Sequence, residues 1–482
     1  MAAPAPAAER PAHRDGNVLR WLGAYTASMI GDNVFYIALS WAAVRSGTPS
    51  QAGLVMAVSA VPRALLMLGG GVVADRFGPR RVVIGSDAVR CAAVLTVAAL
   101  LFTTGPGLWP LALLAVVFGA VDAVFMPAVG ALPARITGRD QLTRVQGMRG
   151  LAVRFANVVG APLGGLGVAL GGSATAFALA GLLIAVSVPL LVSVRIREPA
   201  GEVTGGDHQP DGHADPRERG AEIDGHARGE ENGGHARVPG GGGTDGSGAM
   251  PQRQEREARQ KGREEQDGQD RQEERQAARA TAWRDLRDGL RYIRGHRVLA
   301  PLILAIALGD LGFVGPLNVG LALLADQRGW GASGMGLVVA AFGVGAGAAA
   351  LLLAWRGTLP RAGSAGAAAL LGGSVAIGAL AFVPGVGAAV GVALAIGLLA
   401  GLSGALCGAL LQTQSDPAYL GRVTAVAGIV SLGVAPLSMP LTAAAIGWWG
   451  TGPVFVASAA VCGLGGVVAL GVRDLRRAEL PR

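Results

Sequence analysis

Ile30-Gly31-Asp32-Asn33-Val34-Phe35 returns 278 residues downstream as Leu308-Gly309-Asp310-Leu311-Gly312-Phe313, and each copy lies inside a long apolar run. Arg144-Val145 and Arg422-Val423 stand at the same offset of 278, as do Pro162 and Pro440. Three anchors at one spacing predict two copies of one structural unit. The first copy sits in a run over 19–45, far longer than a strand of about five or six residues. It is long enough to cross a bilayer as a helix, for which about twenty residues suffice.

Working outward, runs of this kind recur near 51–74, 82–104, 108–134, 147–171 and 173–195. They resume near 298–325, 331–355, 363–384, 386–413, 423–447 and 452–472. The fold expected is an all-α membrane protein with twelve transmembrane helices in two six-helix pseudo-symmetric halves. Composition agrees: 51% of the 482 residues are hydrophobic, 15% are charged, and mean hydropathy is +0.45. A soluble globular chain carries about 25% charged residues.

The net charge of +8 rests almost wholly on arginine, Lys261 being the lone lysine. Arginines cluster before span 1 (Arg10, Arg14, Arg20), between spans 2 and 3 (Arg76, Arg80, Arg81) and between spans 4 and 5 (Arg135, Arg139, Arg144). They recur after span 6 (Arg195, Arg197), after span 8 (Arg356, Arg361), before span 11 (Arg422) and at the chain end (Arg473, Arg476, Arg477). Alternate connections are nearly bare, with only Arg45 and Arg328 off the pattern. The positive-inside rule therefore puts both termini in the cytoplasm and the chain in a cell membrane. Basic charge of this kind reports orientation, so no nucleic-acid partner is expected. Residues 1–17 lack the layout of a signal peptide, which leaves the first run as a retained helix.

The segment 198–281 is rich in Gly, Arg, Glu, Asp, Gln and His and holds hardly any aliphatic residues. It cannot bury enough apolar surface to fold and reads as a disordered cytoplasmic linker. His208, His213, His226 and His235 within it have irregular spacing, and no metal site is expected. Trp283, Leu286, Leu290 and Ile293 then recur at helical spacing and predict an amphipathic interfacial helix over 282–297. The domain plan is a tail over 1–18, a first half over 19–197, linker, interfacial helix, a second half over 298–473 and a tail over 474–482.

The connection Gly71-Val72-Val73-Ala74-Asp75-Arg76-Phe77-Gly78-Pro79-Arg80-Arg81 resembles the Gly-x-x-x-Asp-Arg-x-Gly signature of the major facilitator superfamily. Gly31-Asp32 in span 1 and Asp288-Gly289-Leu290-Arg291-Tyr292 before span 7 look like the drug/proton antiporter branch that includes macrolide and siderophore exporters. The resemblance implies a major facilitator fold, and for Gly71, Asp75, Arg76, Gly78, Arg80 and Arg81 a cytoplasmic latch that biases conformational state. Drug antiporters of that superfamily often carry Gly-Pro-x-x-Gly-Gly in span 5. Here Gly160-Ala161-Pro162-Leu163-Gly164-Gly165 has the proline one place later, and glycines four apart still allow close helix packing.

Charges inside the spans are the candidates for transport and coupling. Asp32 and Arg63 fall at mid-span, where a charge costs about 2.5–3.5 kcal/mol on insertion scales. Pairing of these two across spans 1 and 2 is the economical expectation, either as a static ion pair or as part of coupling. Asp122 and Asp310 have no evident cation nearby and are expected to exchange protons and line the pathway. Arg154, Asn157 and Asn318 are further pathway candidates, with snorkelling or interhelical hydrogen bonds as the alternatives. Cys91, Cys407 and Cys462 lie inside spans and read as small buried residues.

No Walker lysine or soluble-enzyme signature is present, so neither ATP hydrolysis nor a cofactor is expected. The reading is a secondary transporter acting as a monomer in the lipid bilayer. It exchanges protons for a small-molecule substrate, and the resemblance favours efflux of a hydrophobic drug or secondary metabolite. An uptake permease for a small polar solute and a non-transporting scaffold or sensor are the alternatives.

Overall fold

A computed structural model of the chain describes residues 12–104, 107–138, 141–195, 284, 287–356 and 361–480. The linker over 198–281 lies outside the described residues, as do Trp283 and Leu286. Four helices open the fold: α1 (Gly16–Ser46), α2 (Pro49–Phe77), α3 (Pro79–Thr104) and α4 (Leu108–Ala131). Next comes α5 (Leu142–Val192), which carries spans 5 and 6. After the linker come α6 (Leu299–Gly315), a π turn (Pro316–Gly320) and α7 (Leu321–Gln327), together forming span 7. The last five are α8 (Gly331–Arg356), α9 (Ala362–Ala379), α10 (Val386–Thr413), α11 (Leu420–Trp449) and α12 (Thr451–Gly471).

Local chemistry explains the breaks. Asp15 caps α1 by accepting from the Asn17 amide at 2.8 Å. Thr48 and Gln51 close a capping box on α2, with Pro49 in its first turn, where a missing N–H costs nothing. Within α5 the backbone leaves the helix at Gly171 and Gly172, and Gly172 has φ +76°. Only glycine takes that conformation readily, so the chain reverses there. Among the described residues nine helices are long and apolar enough to cross a membrane. One of them covers Arg144–Val192, whose 49 residues suffice for two passes of about twenty each. With α2 (29 residues) and α11 (30 residues) the helices fit the twelve spans.

Buried residues form three cores, and their layout is what positions the site. One core joins both halves, mixing Val34, Phe35, Leu39 and Phe177 with Leu321, Leu324, Ile446 and Phe455. The other two are private to one half each. Trp21, Val83, Phe125 and Leu191 belong to the first, and Ile293, Leu299, Leu410 and Val423 to the second. Both private cores lie on the side where the chain leaves for and returns from the linker, here termed the linker side. On the opposite, far side the halves meet through small residues. A methyl added at Gly165 would stand 2.5 Å from the Ala332 carbonyl, and one at Gly336 would stand 2.5 Å from that of Ala161. Gly53 likewise abuts Met439, Pro440 and Ala443. Towards the linker side, Gly147 and Gly150 on α5 and Gly347 on α8 face open space. The two halves therefore touch at the far side and diverge into a cleft towards the linker.

The two arginines that break the charge pattern have structural partners. Arg45 reaches Asp326 at 3.3 Å and so bridges α1 to α7 across the halves. Arg328 donates to the carbonyls of Val383 and Ala381 at 2.8 Å each, covering the end of span 9. Exposed pairs of this kind contribute about 0.2–1 kcal/mol. Arg45→Ala is therefore expected to lower the unfolding temperature in detergent only slightly, and Arg45→Asp with Asp326→Arg should restore it. An unfolding temperature that stays low in the double exchange would show that the ion pair is not the contact that matters.

Residues 287–295 are helical. Tyr292 stacks on Tyr419 with ring centroids 4.4 Å apart, and Ile293 is buried in the second private core. This helix packs by those residues against the start of α11, while Leu290 stays exposed.

Candidate ion site and transport cleft

Three helices of the first half converge on one guanidinium. Arg90 of α3 is fully buried, and its Nη1 donates to Asp32 of α1 at 2.8 and 2.9 Å. The same nitrogen reaches Asp122 of α4 at 3.3 Å. Its Nη2 donates to Ser28 at 3.1 Å and to Asp87, one turn back on α3. Asp87 also accepts from Ser28 at 3.0 Å and from Ser187 of α5. Arg63 of α2 stands 3.6 Å from Asp122, with its side chain 31% exposed. Phe125 lies against the Arg90 guanidinium, its ring centroid 3.9 Å away, and Phe118 is at 5.4 Å. Planar stacking and a forked donor set are what arginine offers and lysine does not.

The expected Asp32–Arg63 pair is corrected. Asp32 belongs to Arg90, and Arg63 belongs to Asp122. The expectation that Asp122 lacks a cation is corrected with it, since both arginines reach that carboxylate. The sequence reading passed over Asp87, Arg90, Ser28 and Ser187. A signal was available: two opposite charges at i and i+3 inside span 3 share a helix face and mark an intramembrane polar site.

The second half answers differently. Shifted by 278, Arg63, Asp87, Arg90 and Asp122 fall on Ala341, Ala365, Ala368 and Ala400. Asp32 alone keeps its counterpart, Asp310, which is half-buried and accepts from Ser431 at 2.7 Å. No ion pair to Asp310 occurs among the described residues. The π turn follows directly along span 7, and Asn318 within it donates to the Val314 carbonyl at 2.7 Å. Such widened turns are frequent at functional sites.

Arg154 is exposed, and α-helical spacing puts it on one face with Val158, Ala161 and Gly165. Those three meet α8, with Val158 against Gly343. Arg154 thus lies one turn into the cleft, just where the halves part. Asn33 and Ile30 of α1 fit against Gly160, and Ile37 and Val34 against Gly164. The two glycines therefore bring α5 close to the helix that bears Asp32, while Gly165 faces the other half. Pro162 is half-buried within α5.

In the connection between α2 and α3, Gly78 has φ +83° and turns the chain as a residue with a Cβ would not. Arg80 donates to the carbonyls of Val192 at 2.5 Å and Leu191 at 3.4 Å, neutralising the negative end of α5. Arg76 and Arg81 are exposed, a methyl added at Gly71 would meet no atom within 4 Å, and the Asp75 side chain lies outside the described residues. Asn17 and Arg195 exchange two hydrogen bonds of 2.7 Å, fixing the start of α1 to the end of α5.

Known proteins share this fold. The chain is 33% identical over 175 residues to the multidrug efflux pump Tap of Mycobacterium bovis and of Mycobacterium tuberculosis. That match covers 32% of this chain, and the chain spans 40% of the length of those relatives. Among solved structures, the nucleoside transporter NupG aligns with a TM-score of 0.61 at 10% identity, over 96% of this chain and 100% of that one. A structure from work on substrate recognition in proton dependent oligopeptide transporters aligns at 0.60 and 15% identity, over 96% and 99%. A bacterial metal transporter aligns at 0.57 and 13%, over 95% and 98%. At such identities these structures share the fold alone. The sequence profile of the Major Facilitator Superfamily matches residues 21–435. The chain belongs to the Major Facilitator Superfamily.

Proposed function

We propose that this transporter exports a hydrophobic drug or secondary metabolite in exchange for protons, by alternating access in the cell membrane. The observation that carries the reading is the buried cluster of Asp32, Asp87 and Asp122 around Arg90 and Arg63, at mid-helix beside a cleft. Charge at that depth is costly unless it is paired or exchanges an ion, so it marks a coupling site. The arginine count assigns the linker side to the cytoplasm, which makes the conformation described here inward-open. In that state Arg154 offers the cleft a cation, and Asp310 is a half-buried acid of the second half bonded to Ser431. Similarity to the Tap pumps supports efflux over uptake. One charge crossing 100 mV supplies about 2.3 kcal/mol, equivalent to roughly a fiftyfold gradient of a neutral solute.

Inverted membrane vesicles loaded with a panel of lipophilic cations, with and without an imposed pH gradient, test this reading. Acceleration by the gradient is expected in the parent protein, along with its loss in Asp122→Asn and weakening in Asp310→Asn. Deleting 205–280 should leave transport intact. Gradient-driven movement unchanged in both aspartate variants would sink the coupling assignment, and no movement of any probe would favour the scaffold alternative.

A further inference from the structure

The helix over 287–295 has two unlike faces. Gly289, Tyr292 and Ile293 make up one of them, and that face is spent on the second half. Ile293 is buried in the second private core. Tyr292 stacks on Tyr419, and its hydroxyl accepts from the Asp416 amide at 3.2 Å. A methyl added at Gly289 would stand 3.0 Å from Arg422 Cβ, so this helix and α11 are in close contact. Arg287, Leu290, Arg291 and Arg294 recur at i, i+3, i+4 and i+7 and form the opposite face. All four are exposed, as is Arg297 just beyond them.

Among the described residues no carboxylate lies within ion-pair distance of these arginines, and Asp288 on the same helix is no exception. Like charges three and four residues apart repel along a helix, so the stripe is unfavourable by itself. Orientation in a membrane asks only that arginines stand on one side, and does not ask that they share a face. Leu299, which opens an apolar span, follows Arg294 closely, and this holds the stripe near the level of the lipid headgroups. An exposed leucine set among arginines suits the boundary between headgroups and acyl chains, and gains nothing from a soluble polyanion.

We infer that this face is a docking surface for acidic phospholipid of the linker-side leaflet. The guanidinium groups of Arg287, Arg291 and Arg294 pair with headgroup phosphates, and Leu290 rests on the acyl boundary. Because the other face is fixed to α11, the bound lipid is tied to the second half. The inference is independent of the cargo and of proton coupling.

The test equilibrates full-length protein in neutral detergent micelles holding equal amounts of phosphatidylglycerol and phosphatidylcholine, recovers it on resin and quantifies the retained lipid. The parent is expected to hold about tenfold more phosphatidylglycerol. Arg287→Gln, Arg291→Gln and Arg294→Gln combined should bring the ratio to within about twofold. Arg291→Gln alone, at the centre of the stripe, should lower it about threefold, and it decides the matter where the triple variant is not recovered. Arg473→Gln, Arg476→Gln and Arg477→Gln combined change the net charge equally and should leave the ratio as in the parent. Salt raised to about 1 M, where screening sets in beyond about 3 Å, should erase the parent's preference. No excess of phosphatidylglycerol in the parent, an excess that survives the stripe variants, or an equal loss in the tail variant overturns the inference. Capture of soluble polyglutamate with no preference between the lipids overturns it in favour of an acidic protein partner.

Discussion

Arg90→Ala is expected to abolish transport and to lower stability more than any other single change in the first half. Arg90 is the shared cation of three carboxylates on three helices, and its removal leaves them mutually repelling in a dry site. Breaking a buried pair by deleting one partner costs about 3–5 kcal/mol. That is a large part of the roughly 5–15 kcal/mol that holds a typical domain together. The variant should therefore accumulate poorly and unfold at a markedly lower temperature in detergent. Arg90→Lys should recover only part of the loss. Lysine keeps the charge but presents a single point in place of a fork, and so cannot serve Asp87 and the Asp32–Asp122 pair together. Arg63→Ala makes the contrast, because that side chain is 31% exposed and its one ion pair is 3.6 Å long. Its cost should be much smaller. Equal unfolding temperatures for Arg90→Ala and the parent would mean the cluster is not what binds α1, α3 and α4 together.

Gly165→Leu should hold the far side open. The Gly165 position lies against the backbone of Ala332 and Ser333, at 2.5 and 3.0 Å from an added methyl. Neither can retreat without parting α5 from α8, and this seam closes the far side between the halves. Overpacking of this kind costs about 1–3 kcal/mol. If that penalty falls only on the far-closed state, it shifts the equilibrium about 5- to 150-fold. A cysteine placed at Ala161, which is 1% exposed, should become reactive to an impermeant maleimide from the far side, and transport should fall in proportion. Gly391→Leu is the control. A methyl added at that position meets no atom within 4 Å, and neither labelling nor transport should change. Unchanged labelling in Gly165→Leu would show that the seam is not the far-side closure.

Much of this architecture was legible before any coordinates. Apolar runs of span length, the offset of 278 between Asp32 and Asp310, and the break between the runs over 147–171 and 173–195 are properties of local sequence. Helix formation in an apolar medium depends on little else, since each backbone group must find its partner within its own segment. The presence of charge inside the first half was legible too, because a mid-span acid is conspicuous whatever its surroundings.

Partnership was not legible. Asp32 looked to Arg63 on the adjoining span, yet the fold gives it Arg90, 58 residues away on α3. Asp122 looked unaccompanied and has two arginines. The span order says which helices exist, but the packing of α1, α3, α4 and α5 decides which of their faces share an interior. Ion pairing follows distances of a few ångströms, because desolvation makes each misplaced charge costly. Hydropathy and repeat spacing alone thus determined twelve spans in two related halves. Only the tertiary structure decided that one half gathers its charges around Arg90 and that the halves join at the far side. Those outcomes depend on contacts between segments distant in the chain, and local composition does not encode them.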